Sequence, residues 1–495
     1  MDPAGPDSDA DSDTDHVGRG EPGRLPLAVA LAGDVMSIVS SYTPRKGRNV
    51  ELVLVLAAVA IVALAYVNVE LAVTGSLPPS LATLVFGYLG VAVGFHLVLR
   101  WRASYADPLM LPIVTLLNGL GLVMIHRLDL ANGRSLTDGV ALRQLMWSAL
   151  AVAIAAVVLV LLRDHRILRR YTYLFGAIGF FLLVLPLFPF IGTSIYGSRI
   201  WIQLGPFSFQ PGEIAKLCLA IFFAGYLVQT RDALSVAGRK VLGLTLPRGR
   251  DLGPILVAWL ASLAVLIFER DLGSSLLFFG LFVAMLYVAT ERVSWIVIGL
   301  GLFCIGAYIA YLIFGHVQTR VLLWLDTFSA DALAESDQLA KGLMGMASGG
   351  MFGTGLGRGR PDLTYFAESD FIVPSFGEEI GLIGVFAIIV LYGLLVERGL
   401  RTSLGTRDGF GKLLAAGLSF SVALQCFVVV GGVTRVIPLT GLTMPFLSSG
   451  GSSLLANWTL VAILLRISDH ARRPLPDTSA PSQVAEARTE VVRLS

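Results

Sequence analysis

Residues 253–314 read GPILVAWLASLAVLIF over 253–268, ERDL, GSSLLFFGLFVAMLYVAT over 273–290, ERV, and SWIVIGLGLFCIGAYIAYLIF over 294–314. Three apolar runs, each close to the length that crosses a hydrocarbon core of roughly 30 Å, follow one another with only a charged turn between them. In a bilayer the backbone must satisfy its own hydrogen bonds, and a helix does so within one segment. Reading the other apolar runs in the same way gives helices near 52–73, 79–100, 107–125, 142–162, 172–190, 211–229, 371–396, 412–432 and 446–466. The expected fold class is an all-α polytopic membrane protein with about 12 transmembrane helices.

Composition agrees. Of 495 residues, 55% are hydrophobic and only 15% charged, where a soluble domain carries about a quarter charged. The net charge of +2 does not suggest a nucleic-acid partner. Cys218, Cys304 and Cys426 stand singly in apolar runs, without CxxC or metal-ligand spacing, and read as small buried residues. About fifty polar or mixed residues precede the first apolar run and no small-residue cleavage site follows it, so it reads as a span and not a signal peptide.

Residues 1–50 form a cytoplasmic, largely disordered segment in this reading, with seven acidic residues among the first 24, and residues 469–495 a disordered tail. Basic residues set the orientation. One alternate set of loops holds Arg163, Arg166, Arg169 and Arg170, then Arg231, Arg239, Lys240, Arg248 and Arg250, then Arg398, Arg401, Arg407 and Lys412, and finally Arg472 and Arg473. Those loops are expected in the cytoplasm together with both termini. The other set holds scattered cations such as Arg127, Arg134, Arg199, Arg270 and Arg435 and faces outward. Among the outer loops, 315–370 is far longer than most connections, as functional loops often are. Within it, 338–348 reads as a short helix on the membrane surface.

Ionisable residues at membrane depth are costly, and serve either as ion pairs that hold the bundle or as functional groups. Glu213, Lys216, the Glu269-Arg270-Asp271 turn, Glu378, Glu379 and Arg435 are in this position. Gln210-Pro211-Gly212-Glu213 is a helix start, and its free N–H groups with Lys216 and Arg199 could hold an anion such as a lipid-linked pyrophosphate, or could simply cap a span. A carboxylate in the long outer loop beside apolar spans suits a general base, and Asp331 and Asp326 are the best placed. The six histidines show neither HExxH nor close pairing, so the sequence points to no zinc site. No Walker P-loop is present.

The constellation resembles the SEDS family (shape, elongation, division and sporulation), which includes RodA and FtsW, over roughly residues 107–467. The resemblance rests on Ser198-Arg199-Ile200-Trp201-Ile202, Phe209-Gln210-Pro211-Gly212-Glu213-Ile214-Ala215-Lys216, Arg270-Asp271-Leu272-Gly273-Ser274-Ser275 and Gly353-Thr354-Gly355-Leu356-Gly357. It continues through Ser369-Asp370-Phe371-Ile372, Phe376-Gly377-Glu378-Glu379, Pro438-Leu439-Thr440-Gly441-Leu442-Thr443 and Gly450-Gly451-Ser452-Ser453-Leu454-Leu455. It implies a ten-helix core over 106–468 with the large extracellular loop 315–370, preceded by two additional helices in 51–105. That extension, with the stretch from Asn118 to Asp129, is most similar to actinobacterial members of the RodA type and implies a role in elongation.

The resemblance implies a peptidoglycan glycosyltransferase of a bacterial plasma membrane. It would polymerise lipid II through β-1,4 linkages with release of polyprenyl pyrophosphate, beside a class B penicillin-binding protein. The family's essential aspartate follows an Arg-Val…Trp segment and precedes a Gln by seven residues. Arg320-Val321, Trp324 and Gln338 place that role on Asp331. This chain departs from the family in carrying Ala332 where a Pro is usual and one extra residue between Trp324 and Asp331. Substrate-binding roles fall on Arg199, Lys216, Glu213, Lys341, Asp370, Glu378, Glu379 and Arg435, with room for a divalent cation such as Mg or Mn. A lipid II flippase and a non-catalytic scaffold for the transpeptidase are the alternatives.

Overall fold

The computed structural model describes residues 47–77, 81–134, 138–189, 191–195, 198–204, 207–235, 240–241, 244–245 and 253–474. Most of the acidic N-terminal segment, most of the tail, and Arg239, Arg248 and Arg250 lie outside the described residues.

Each of the twelve apolar segments is helical. Ten helices are long and apolar enough to span a bilayer: α1 (Arg48–Val73), α2 (Leu81–Arg102), α3 (Met110–Ala131), α4 (Val140–Leu161), α6 (Pro211–Ser235), α8 (Leu272–Thr290), α9 (Val293–Ile313), α13 (Ile372–Gly405), α14 (Gly409–Val433) and α15 (Gly451–Arg472). The other two segments form shorter helices, α5 (Thr172–Val184) and α7 (Gly253–Glu269). A small antiparallel sheet, β1 (Gly192–Ile195), β2 (Ser198–Leu204) and β3 (Phe207–Phe209), stands unanticipated between α5 and α6.

Burial sorts the helices. α3 and α15 are enclosed by their neighbours, while α2 and α9 turn most of their surface outward. α9 is apolar all round, which suits a helix facing lipid. α15 instead carries Ser452, Ser453, Asn457, Arg466 and Asp469, all buried within protein. Cys218 and Cys426 are buried as expected, but Cys304 is exposed, because α9 has neighbours on only part of its surface.

The long outer loop is structured. It contains α10 (Gly315–Leu325), α11 (Ala330–Glu335) and α12 (Gln338–Gly349). α12 covers 338–348 as expected, and it packs on the start of α13. Its glycines allow this: a Cβ at Gly342 would sit 2.8 Å from the Phe371 ring, and one at Gly349 would sit 2.1 Å from the Gly377 carbonyl oxygen.

Nor is α13 the single span its apolar run suggests. It breaks at Gly381, with φ +70° and ψ −176°. The break frees backbone groups, and the glycine loop after α12 satisfies them. Thr354 N and Gly355 N donate to the Glu378 and Glu379 carbonyls at 3.0 and 2.9 Å. In return, Leu382 N and Ile383 N donate to the Gly350 and Met351 carbonyls at 3.0 and 3.2 Å. A Cβ at Gly353 would lie 2.2 Å from the Glu379 carbonyl oxygen, so only glycine fits this insertion.

Candidate functional site

The loops segregate to the two ends of the bundle as the alternating cations anticipate. At one end Ser198 Oγ approaches the Arg270 carbonyl at 3.4 Å, Arg127 Nη2 donates to the Gly359 carbonyl at 2.7 Å, and Trp324 Nε1 donates to the Arg435 carbonyl at 3.0 Å. Arg199, Arg270, Arg127, Arg435 and the long loop therefore share this end.

A largely apolar cavity of about 350 Å³ opens there, lined from α7, α8, α9, α10 and the segment after α14. Trp259, Phe279, Phe303, Trp324 and Pro438 supply much of the wall, and among the described residues Arg320 is the one ionisable group lining it. Two of its walls are pinned together by Arg435, which donates from Nε to the Trp324 carbonyl and from Nη2 to the Leu325 carbonyl, both at 2.9 Å. Arg435 has φ +63°, a strained value for a residue with a side chain, and these bonds hold it. Its sequence-assigned substrate role thus meets a different finding: its guanidinium serves the wall.

Arg320 donates to the Leu439 carbonyl. Burial lowers its pKa, while the Asp271 and Asp370 carboxyls favour its charged form. Gly441 adjoins the group: a Cβ there would lie 3.7 Å from Asp370 Oδ2 and 3.9 Å from Arg320 Nη2. Asp271 caps α8, its Oδ1 accepting from Gly273 N at 2.9 Å and Ser274 N at 3.1 Å, and its Oδ2 from Ser274 Oγ at 2.5 Å. Asp370 keeps more freedom to titrate. Burial pushes its carboxyl up to about 7, Arg320 opposes that rise, and Asp271 and Glu368 add to it.

Asp331 lies in the first turn of α11, where Ser329 Oγ caps by accepting Ala332 N at 3.2 Å. Its side chain is exposed, and among the described residues no hydrogen bond or ion pair holds the carboxylate. Asp326, also exposed, ends α10. Lys341 on α12 pairs with Asp337 at 2.8 Å and lies 4.8 Å from the Tyr365 ring centre. Arg199 is exposed on β2, whose Ser198 meets the Arg270-Asp271 turn.

The remaining candidates are enclosed. Lys216 Nζ donates to Glu213 Oε2 at 2.9 Å, Gln425 Oε1 at 2.8 Å and Asn457 Oδ1 at 3.5 Å, which uses every N–H of the ammonium. Just before α6, Gln210 N donates to Ser452 Oγ at 2.9 Å, tying the start of α6 to α15. Glu379 accepts from Arg127 Nε at 2.8 Å and from Gly357 N at 2.9 Å, and Glu378 Oε1 accepts from Arg360 N at 2.6 Å. These two acids hold the glycine loop in the break of α13. Sequence reasoning named Arg320 only as a landmark; its signal was a lone cation beside two apolar spans and ahead of Trp324.

Known proteins share this architecture. The FtsW/RodA/SpoVE family of cell cycle proteins matches residues 108–473. The peptidoglycan glycosyltransferase RodA of Mycobacterium tuberculosis is 49% identical over 451 residues, covering 90% of this chain and 96% of that protein. Stage V sporulation protein E of Bacillus subtilis is 32% identical over 377 residues, covering 75% and 99%. Among solved structures, the rod shape determining protein RodA of Thermus thermophilus is similar with a TM-score of 0.53 at 25% identity, over 76% of this chain and 100% of that one. The described helices, the cavity beneath the long loop and these matches agree: the chain belongs to the FtsW/RodA/SpoVE family.

Proposed function

We propose that the chain polymerises peptidoglycan glycan strands from lipid II during cell elongation. It is a multi-pass membrane protein and a peptidoglycan glycosyltransferase, supported by 49% identity to mycobacterial RodA over 90% of its length. The observation that carries the substrate is the apolar cavity of about 350 Å³ with Arg320 at its edge. An apolar volume suits a polyprenyl chain, and a guanidinium suits the pyrophosphate that joins it to sugar.

Asp331 takes the proton of the acceptor GlcNAc 4-hydroxyl. The hydroxyl oxygen attacks the anomeric carbon of the lipid-linked MurNAc, and the bond to pyrophosphate breaks with its electron pair. The anomeric centre inverts to give a β-1,4 link. An exposed, unpaired Asp331 is free to meet an incoming sugar. Arg320, with Arg199 from the neighbouring sheet, meets the charge developing on pyrophosphate. As for a divalent cation, Asp271 spends both carboxylate oxygens on the start of α8, and among the described residues no group of three metal-ligating side chains stands here. Arg320 and Arg199 supply the resident positive charge, and a divalent cation would be held chiefly by the substrate's own phosphates.

A second reading gives the base role to Asp370, whose carboxyl at about 7 is matched to proton transfer near neutral pH. Both termini face the cytoplasm and the long loop faces outward. A class B penicillin-binding protein, implied by the family resemblance, is the partner.

The test is polymerisation of lipid II by the purified full-length chain, alone and with its penicillin-binding partner, resolved on gels. Loss in Asp331→Asn with activity kept in Asp370→Asn and Asp326→Asn supports the first assignment. Loss only in Asp370→Asn moves the base. No polymer from any preparation, together with growth supported by Asp331→Asn, would favour a scaffold or a flippase.

A further inference from the structure

At the opposite end of the bundle, three elements bring together residues that the sequence keeps far apart. Asp164 and His165 follow α4, Asp408 caps the start of α14, and His470 lies in the last turn of α15. One ligand atom each from Asp164, His165 and His470 lie within 4.8 Å of one another. In a closed tetrahedral zinc site the ligand atoms stand roughly 3.3–3.5 Å apart. Asp164 Oδ1 and His165 Nδ1 are already 3.7 Å apart.

His165 makes this more than a coincidence of polar groups. It is fully buried, and its Nε2 meets Asp408 Oδ2 at 2.9 Å. A carboxylate only accepts, so Nε2 carries the proton, and whenever the ring is neutral Nδ1 presents a lone pair. Among the described residues Nδ1 has no hydrogen-bond partner, and it faces the Asp164 carboxylate. Two electron-rich groups face each other across a gap that a cation would fill. A histidine that donates one nitrogen to a carboxylate while offering the other is the usual form of a metal-binding imidazole.

The surroundings hold His165 in this pose. Asp408 Oδ1 accepts Gly411 N at 2.7 Å while its Oδ2 serves the histidine. A Cβ at Gly411 would fall 2.4 Å from His165 Nε2, so glycine makes room for the ring. Nearby guanidinium groups have other partners: Arg166 Nε lies 3.6 Å from Asp408 Oδ2, and Arg473 pairs with Asp469 at 2.7 Å. Among the described residues, Asp164 Oδ1 accepts one hydrogen bond, from the Arg166 backbone N–H at 2.9 Å.

We propose that Asp164, His165 and His470 form a zinc-binding site that ties the loop after α4 and the end of α15 to the start of α14. Two imidazoles and one carboxylate favour zinc over magnesium or calcium, and water completes a fourth position through the partly exposed side.

The experiment takes the full-length protein in detergent, strips it with chelator, adds zinc chloride alone and measures retained zinc per chain after desalting. It also follows thermal unfolding with and without zinc. One retained zinc per wild-type chain and a zinc-dependent rise in Tm are expected. His470→Ala and Asp164→Ala should each weaken retention at least tenfold, and Asp408→Asn should weaken it roughly 10–100-fold through loss of the His165 orientation. His316→Ala, remote from the cluster, should behave as wild type. Asp164 is on a surface loop, so its variant keeps the test open if His470→Ala does not fold. Absence of retained zinc in wild type, as for a site that takes only a proton, overturns the proposal. So does equal retention in wild type and Asp164→Ala, which would place the metal elsewhere.

Discussion

Lys216 and Arg320 are both cations withdrawn from water, yet their surroundings use them in opposite ways. Lys216 sits in the bundle interior with Glu213, Gln425 and Asn457 as acceptors for its three N–H groups. Arg320 hydrogen-bonds the Leu439 carbonyl, has Asp271 and Asp370 within electrostatic reach, and lines a cavity of about 350 Å³. The first arrangement is closed and can only hold helices together. The second has charge left to offer a ligand. A buried charge marks a functional site when its neighbours leave it unfinished beside an empty volume.

The greatest effect should come at the open end. Asp331→Asn should lower lipid II polymerisation by ~10²–10⁴-fold, the usual contribution of a general base, with an unchanged melting curve. A rate within a few-fold of wild type would remove Asp331 from the chemistry. In the closed region the expectation reverses. Lys216→Met leaves Glu213 buried without its partner and should cost about 3–5 kcal/mol, seen as a lowered Tm and poor yield of folded protein. The double variant Lys216→Met/Glu213→Gln should recover part of that loss, and a stable but inactive Lys216→Met would instead make Lys216 a functional group.

Arg320→Ala should raise the lipid II concentration needed for half-maximal rate by roughly 10–100-fold, as loss of a charge-assisted contact does. An unchanged KM would separate Arg320 from the pyrophosphate. The last effect concerns pH. Asp370 titrates at about 7 in the folded protein, above the ordinary aspartate value of about 3.9, so the folded state holds a proton that the unfolded chain has released. The contribution of Asp370 to stability is therefore greatest below about pH 4 and falls as pH rises toward about 7. Asp370→Asn should flatten that fall, with little change in Tm at the acid end.

The helical segments were legible because a bilayer-spanning helix announces itself locally, through some twenty apolar residues in a row. The break in α13 was not. The run through Ile372–Gly405 continues apolar past Gly381, and the reason for the break lies in the glycine loop of 349–357, whose N–H groups take the freed carbonyls. The sheet between α5 and α6 was missed because its strands are three to seven residues long and carry no strong alternation. In the site, Asp331 and Asp370 stood out by loop position and motif, whereas Arg320 became important only once the cavity beside it was known.

Segment identity, the alternation of loop charge and the family motifs each depend on residues near one another in the chain, so the sequence alone determined a polytopic helical protein of this family. Which charges are spent and which remain open depends on partners far away. Lys216 meets residues 209 and 241 positions along the chain, and Arg127 meets one 252 positions along. The grouping of Asp164, His165 and His470 has the same origin, and histidine spacing gave no hint of it. Hydropathy acts through each residue's own transfer from water, but a hydrogen bond or a ligand site exists only when two or more groups meet. That meeting is set by helix packing, and so by the tertiary structure.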